Sequence, residues 1–180
     1  MNCFVPWIGG KSRLAKTICS LLPEDRTTYI EVFGGGAKVL FKKDKLAGEV
    51  EVYNDLHSEL INLFRIVKND LTGFIKRQEY ILCSRSEYKS MLEMYKAGTH
   101  KDDLDRAVVF YYLVQNSFGS GITTGWAYSR VRPPKYPACL DSLAAIKARL
   151  LRVYIEHLSF EKLIPKWDSK TAVFYVDPPY

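Results

Sequence analysis

A strand that runs into three glycines and then into a helix constrains the fold of this chain more than any other stretch. Residues 27–33 read Thr-Thr-Tyr-Ile-Glu-Val-Phe, a β-branched and aromatic run typical of a buried strand. Glycines occupy positions 34–36, and a helical pattern follows over residues 37–41. This order is the beginning of a nucleotide-binding α/β unit. The dinucleotide fingerprint GxGxxG is not met, because Val39 stands at the third glycine position.

A second strand is expected at residues 49–53, and it ends at Asn54 and Asp55. Asp55 lies 19 residues after Gly36, near the position at which nucleotide-binding folds place an acid on a ribose. The same residue is also suited to cap the amphipathic helix expected over residues 56–68. The spacing favours the ribose role, and one carboxylate is able to serve both.

The chain outside these two strands combines helices with further strands. An N-terminal helix capped by Ser12 is expected to bury Leu14, Ile18, Leu21 and Leu22. Further helices are expected at residues 86–97, at 104–115 with Asp103 as the cap and an aromatic stripe in the core, and at 142–151. Strands are expected at residues 152–157 and 171–176. The sequence therefore predicts an α/β core of residues 1–60 and 150–180, interrupted by a helical insertion of residues 61–149.

Positive charge is concentrated in this insertion. Residues 61–152 carry 15 lysines and arginines against eight acidic residues, in a chain of net charge +6. A long glycine-rich loop, expected to be mobile, begins at Asn116 and Ser117 and leads to Arg130, Arg132 and Lys135 among aromatic residues. Amides and hydroxyls read base edges or phosphates, and basic side chains contact phosphates. The pattern indicates a nucleic-acid partner, with an incidentally basic solvated surface as the alternative.

The chain reaches Asp177-Pro178-Pro179-Tyr180 directly after its last expected strand. Proline has no N–H to donate, so this turn offers acceptors, namely the Asp177 carboxylate and the Pro178 carbonyl. Tyr180 adds an aromatic face. Two acceptors beside a ring suit a planar group that carries an amine, such as the edge of adenine or cytosine. A strand that ends in Asp-Pro is also a common structural turn.

Several classes of protein are disfavoured. No apolar run approaches the roughly 20 residues of a membrane span, and no signal peptide opens the chain. The four cysteines form no CxxC pair and the three histidines have no metal-ligand spacing. The sequence predicts a cytoplasmic protein with reduced thiols and neither a metal site nor a membrane partner. Gly10-Lys11-Ser12 does not complete a P-loop, because Val5 stands where that motif has its first glycine.

Four pieces stand in a characteristic order along the chain: Pro6-Trp7 with Gly9-Gly10-Lys11, residues 31–36, Asn54-Asp55, and residues 177–180. Together they resemble the Dam-type adenine-specific DNA methyltransferases, which use S-adenosylmethionine (SAM), and the resemblance spans the chain. It implies a Rossmann-like SAM-dependent methyltransferase core with a helical target-recognition insertion. The family usually has proline where this chain has Val32, a difference that affects the stiffness of the turn rather than the chemistry.

The resemblance also implies roles for individual residues. The catalytic turn is Asp177, Pro178, Pro179 and Tyr180, in which Asp177 and the Pro178 carbonyl bind the target amine and Tyr180 stacks on the base. Contacts to SAM are expected from Trp7, Lys11, Glu31, Phe33, Gly34, Gly36, Asp55 and Asp177, with Lys11 near the cofactor carboxylate. Ser159-Phe160 is a weak match to the segment that contacts the cofactor adenine.

The implied activity is transfer of a methyl group from SAM to the amine of a flipped adenine in duplex DNA, in a restriction–modification or phage setting. An RNA or glutamine-amide substrate, or a non-catalytic DNA-binding fragment, are the alternatives. In the family the sheet continues past this turn, so we expect an incomplete core that is weak or inactive alone. The strand at residues 171–176 is then an open sheet edge through which the chain could form an oligomer.

Overall fold

The structure is a computed structural model that describes residues 4–179. Within it the chain divides into two compact units. The first comprises Gly9–Ile61 and residues 149–179, and the second comprises Phe4–Ile8 and Asn62–Ala148. The short segment Phe4–Ile8 therefore groups with the helical middle of the chain.

The first unit is built on a sheet of four parallel strands. The strands are β1 (Thr28–Glu31), β2 (Val50–Asn54), β3 (Val153–Glu156) and β4 (Ala172–Tyr175). Their order is β3-β2-β1-β4. The chain moves outward from β1 to β3 and then returns to the other side of β1, so the order reverses between β1 and β4. This arrangement confirms the α/β, Rossmann-like fold, and such a reversal is where open α/β sheets bind ligands.

An apolar core covers one face of this sheet. Ile30, Val32 and Val52 are buried against Leu163. Leu163 belongs to α8 (Phe160–Trp167), a helix that the sequence analysis did not predict. Its apolar residues recur at helical spacing, but Pro165 lies inside the helix and is normally a sign that a helix ends. The burial of this apolar face outweighs the local cost of the proline.

Buried charges occupy the other face of the sheet. Glu51 of β2 accepts two hydrogen bonds of 2.6 Å from the Arg149 guanidinium, and Lys43 bridges Glu51 at 2.8 Å and Glu49 at 2.5 Å. Burial alone raises the pKa of Glu51, but the bonds from Arg149 and Lys43 outweigh it and hold that pKa below its usual value. Several bonds per carboxylate are what a desolvated ion pair needs to be tolerated.

The remaining helices of the first unit are short. They are α1 (Ala15–Ser20) and α2 (Lys38–Lys42). The sequence boundaries of the two units fall inside α3 (Ser58–Asn69) and inside α7 (Leu143–Leu150). The predicted Ser12 cap of α1 was wrong, and of its predicted apolar face only Ile18 and Leu22 are half-buried. Leu14 occupies the N-cap position without a side-chain bond, and Leu14 and Leu21 are 54% and 77% exposed. A helix of six residues that buries only Ala15 leaves these side chains uncovered.

The second unit is helical and centres on α6 (Asp103–Asn116). Residues 107–114 are all buried, which confirms the prediction that the aromatic stripe belongs to the core. The cap of α6 is Asp102, whose carboxylate accepts the Asp105 N–H at 2.6 Å, rather than Asp103 as predicted. Helices α4 (Leu71–Gln78) and α5 (Arg85–Ala97) complete the unit, together with 3-10 turns at Phe118–Ser120 and Ala138–Ser142. None of the helices described is long and apolar enough to cross a membrane.

Candidate active site

The predicted site residues of the first unit lie at the carboxyl edge of its sheet. The β1–β4 pairing continues past the strands through a bond from the Val32 N–H to the Tyr175 carbonyl (3.1 Å). The segments that follow β1, β2 and β4 therefore begin at the same edge. The first carries the glycine turn (residues 34–36), the second carries Asp55 and the third carries Asp177. Residues far apart in the sequence converge here because all four strands run in the same direction.

The glycine turn packs closely against β2. The Gly34 N–H donates to the Asn54 carbonyl at 2.8 Å, and a Cβ atom at Gly34 would lie 2.2 Å from the Tyr53 ring. The Tyr53 hydroxyl bonds the Gly35 carbonyl at 2.7 Å. Helix α2 then starts after Ala37, whose φ of 52° is unusual for a residue with a side chain. Position 34 therefore requires glycine, and the turn is firmly held.

Asp55 joins this turn to the start of α3. Its Oδ2 accepts the Gly35 N–H and its Oδ1 accepts the His57 N–H, both at 2.8 Å. The second bond lies just before the helix, which begins at Ser58. Because a carboxylate offers about four lone-pair positions, each oxygen keeps room for one further donor, such as a ribose hydroxyl.

Asn54 is a residue of this edge whose role the sequence analysis missed. Its side-chain amide donates to the carbonyls of Val32 (2.8 Å) and Leu158 (3.0 Å), and its Oδ1 accepts the Leu158 N–H at 2.8 Å. Asn54 is 1% exposed. It thus ties together the segments that follow β1 and β3. In the sequence, the only sign of this role was an amide side chain directly after the strand expected at residues 49–53.

Glu31 is buried inside the unit. Its Oε1 accepts the Tyr29 hydroxyl at 2.9 Å and the Leu40 N–H at 2.6 Å. Burial raises the pKa of Glu31 to about 7, even though both hydrogen bonds act to lower it. These bonds give Glu31 a structural role in joining β1 to α2, and its predicted contact with a cofactor stays a prediction.

Asp177 forms an ion pair with Lys11. The Lys11 Nζ lies 2.8 Å from Oδ2 of Asp177, and the Tyr175 hydroxyl donates to the same oxygen at 3.3 Å. Burial raises the pKa of Tyr175, with the nearby Asp177 carboxylate acting in the same direction. Pro178 and Pro179 are exposed. Tyr180, the predicted stacking residue, lies outside the described residues.

Aromatic side chains accompany both units. Phe33 lies between β1 and the glycine turn. Its ring centroid lies 6.0 Å from that of Phe160, whose side chain is 44% exposed. The predicted cofactor residue Trp7 belongs to the second unit, where its ring lies 6.2 Å from that of Phe110. Phe33 and Phe160 are thus neighbours, with their ring planes tilted by 48° to each other.

The glycine-rich loop of the second unit has internal backbone pairing, and its expected mobility stays a prediction. Ser117 and Trp126 form an antiparallel bridge, and Phe118 and Ala127 add backbone bonds across it. The side chains of Asn116 and Ser117 are buried and bond the Tyr112 and Leu113 carbonyls. Their side chains therefore shape the loop, and their predicted contact with DNA stays a prediction.

Basic side chains lie beyond this loop. Arg130, Arg132 and Lys135 are exposed, and none of them forms an ion pair with any residue of the described range 4–179. The Arg85 guanidinium stacks over Trp126 (4.8 Å) and Tyr128 (5.3 Å). This stack holds the end of the loop by cation–π attraction. Within residues 4–179 no group of three metal-ligating side chains is found.

The parallel sheet, the glycine turn with its acid, and an acidic turn at the point of strand reversal define a class, the α/β proteins that bind nucleotide-like cofactors at this edge. The comparison with known proteins identifies the family. The chain belongs to the D12 class N6 adenine-specific DNA methyltransferases, whose family model matches residues 7–180. This confirms the resemblance to Dam-type enzymes, and a methyltransferase implies a methyl donor.

Curated relatives agree with this assignment. The DNA adenine methylase of Haemophilus influenzae is 27% identical over 190 residues, which cover 98% of this chain and 63% of that protein. The type II methyltransferase M.CviBI of Paramecium bursaria Chlorella virus NC1A is 31% identical over 118 residues, 66% of this chain and 44% of that protein. A DNA N-6-adenine-methyltransferase of Escherichia phage P1 is 26% identical over 184 residues, 97% of this chain and 23% of its own. The chain thus spans less than two thirds of the length of these relatives.

Proposed function

We propose that the protein is a site-specific DNA methyltransferase that transfers a methyl group from SAM to the exocyclic amine of adenine. The observation that carries this proposal is the Asp177 turn at the strand reversal, next to the glycine turn held by Asp55. The family membership and the phage, viral and restriction-type relatives support a role in restriction–modification or phage DNA modification.

The residues at the carboxyl edge fit SAM by the chemistry of their side chains. Lys11 offers a cation for the cofactor carboxylate, and Asp55 offers acceptors for the ribose hydroxyls. Phe33 and the partly exposed Phe160 offer an apolar surface for the adenine ring. When bound, the cofactor supplies a methyl group on a sulfonium, which is already a good leaving group. Protein residues are therefore needed for binding, orientation and charge stabilisation rather than for nucleophilic attack.

Asp177 and the Pro178 carbonyl would then grip the two hydrogens of the target amine. The lone pair of adenine's amine is delocalised into the ring, which makes this nitrogen a poor nucleophile. Two acceptors favour a pyramidal nitrogen and stabilise the positive charge that develops on it. Tyr180 would stack on the flipped base and offset part of the few kcal/mol that flipping costs. Arg130, Arg132 and Lys135 would contact phosphates of the duplex.

The proposal is tested with tritiated SAM and short duplexes, both on this chain, which is expected to be weak or inactive alone, and on a longer form that carries the further strands of the family fold. Hydrolysis of the DNA identifies N6-methyladenine, and variants are compared in the form that transfers label. A duplex in which purine replaces adenine, and so lacks the amine, is the matched control. Asp177→Ala should abolish transfer while the affinity for S-adenosylhomocysteine stays within a few-fold. Label on RNA or on protein but not on DNA would overturn the substrate assignment, and failure to bind S-adenosylhomocysteine would overturn the cofactor assignment.

A further inference from the structure

The Asp177 carboxylate is engaged through one of its two oxygens. Lys11 and Tyr175 both bond Oδ2, and no residue within the described part of the chain bonds Oδ1. The side chains of Lys11 and Asp177 are 24% and 25% exposed, so the ion pair is open to solvent and to a ligand. A partly exposed pair of this kind is screened by solvent and is weaker than a buried one.

The backbone of Lys11 is fixed, whereas its side chain is able to reach more than one partner. Its backbone carbonyl accepts the N–H groups of Leu14 and Ala15, which anchors the main chain at the start of α1. Its ammonium group, in contrast, stands at the end of a flexible four-carbon stem and also reaches the Gly9 carbonyl at 3.2 Å. The charge is therefore able to move while the backbone stays in place.

The ion pair and the proposed chemistry place opposite demands on Asp177. An ammonium group beside a carboxylate cancels much of the field that would stabilise positive charge on the target nitrogen. The proposed cofactor carries a carboxylate of its own, chemically equivalent to that of Asp177. Two carboxylates would therefore compete for one ammonium group.

We propose that Lys11 is shared between these two carboxylates and acts as a positioning residue that couples the cofactor site to the base site. Without cofactor it pairs with Asp177, and with cofactor bound it turns to the cofactor carboxylate. Cofactor entry thereby frees Asp177 to accept the target amine, so the cofactor binds productively before the base. This inference rests on the proposed function and deepens it.

The test is calorimetric titration of the protein with two probes, S-adenosylhomocysteine and its decarboxylated analogue. Both keep the ammonium group, so the ratio of their dissociation constants reports the interaction with the carboxylate alone. In Asp177→Asn, Lys11 loses the competing carboxylate of Asp177, and the preference for the carboxylate-bearing probe should rise about two- to fivefold, as expected for a partly exposed ion pair. In Lys11→Met the preference should fall towards one.

The double variant Lys11→Met/Asp177→Asn completes the cycle, and its preference should equal that of Lys11→Met. Lys11→Arg keeps the charge and should retain a preference above one, which separates loss of charge from loss of structure. An unchanged preference in Asp177→Asn overturns the sharing of Lys11 but leaves the proposed function intact. Absence of binding of both probes to the wild-type protein overturns the proposed function itself.

Discussion

Oδ2 of Asp55 accepts the backbone N–H of Gly35 at 2.8 Å, so the acid that follows β2 holds the turn that follows β1. Asp55→Ala should lower the free energy of unfolding by about 1–3 kcal/mol, because the Gly35 and His57 N–H groups lose their acceptor. It should also weaken S-adenosylhomocysteine binding about tenfold or more, since a hydrogen bond to a charged group is lost. Urea denaturation and calorimetry measure the two effects.

Asp70→Ala is the matched control for this change. Asp70 caps α4 in the second unit by accepting the Gly73 N–H at 3.0 Å. Its loss should cost about 1 kcal/mol of stability without changing the affinity for S-adenosylhomocysteine. Equal losses of affinity in the two variants would show that Asp55 acts through stability alone.

Glu31 should make the stability of the protein depend on pH near neutrality. Its pKa rises from 4.5 to about 7 on folding, so the folded protein binds this proton more tightly than the unfolded chain. The stabilisation is complete below about pH 4.5 and is lost as the pH rises through 7. Relative to wild type, Glu31→Gln should therefore gain about 2–3 kcal/mol between pH 5 and pH 8.

Urea denaturation at several pH values measures this difference. Glutamine keeps an oxygen that accepts from both Tyr29 and Leu40, so the comparison isolates the charge. Glu24→Gln, at an exposed position, is the control and should follow the wild-type profile. Parallel profiles for Glu31→Gln and wild type would contradict the prediction.

Asn54 should be among the polar residues on which the first unit most depends. Asn54→Ala removes three hydrogen bonds, one buried and two partly buried, and takes this partner away from the Val32 and Leu158 groups. We expect a loss of about 2–4 kcal/mol, summed from the cost of groups left unsatisfied. Faster hydrogen exchange at the Leu158 amide would locate the effect. Asn69→Ala, at an exposed position, should change stability by less than about 0.5 kcal/mol.

Arg149 should stabilise the fold by neutralising Glu51. Arg149→Leu leaves a buried carboxylate that retains Lys43 and Lys45 but loses both of its bonds to the guanidinium. The expected loss is about 3 kcal/mol, typical for removal of one partner of a buried pair. Arg152→Leu makes the same change at an exposed position of the first unit and should be close to neutral. A similar loss in both variants would argue against a specific role of the ion pair.

The basic segment should set the salt dependence of DNA binding. Replacing Arg130, Arg132 and Lys135 together by alanine should reduce the slope of log K against log salt by about 2–3, because each phosphate contact contributes about 0.9. Fluorescence anisotropy with a labelled duplex at several salt concentrations measures the slope. A control removes the same charge from exposed lysines of the first unit, at Lys16, Lys162 and Lys170. Equal slopes for the two triple variants would indicate binding through net charge alone.

Local sequence patterns were sufficient to predict most secondary structure. The four strands and the helices α3, α5, α6 and α7 lie within a few residues of their expected positions. Patterns failed where a local signal competed with packing. Pro165 concealed α8, and the apolar pattern around α1 predicted a buried face from which the structure leaves Leu14 and Leu21 exposed. Each residue of β4 is partly exposed, because within residues 4–179 this strand pairs only with β1.

The sequence by itself determined the α/β class, the family and the residue types available for chemistry, because these depend on periodicity and on short motifs. Tertiary structure decided how those residues are used. Lys11 and Asp177 are 166 positions apart, and no local pattern indicates that they form an ion pair. The bonds of Asn54 to Leu158, and of Asp55 to Gly35, likewise depend on which strands become neighbours. Strand order is set by packing of the whole sheet, and only that order brings these side chains to one edge.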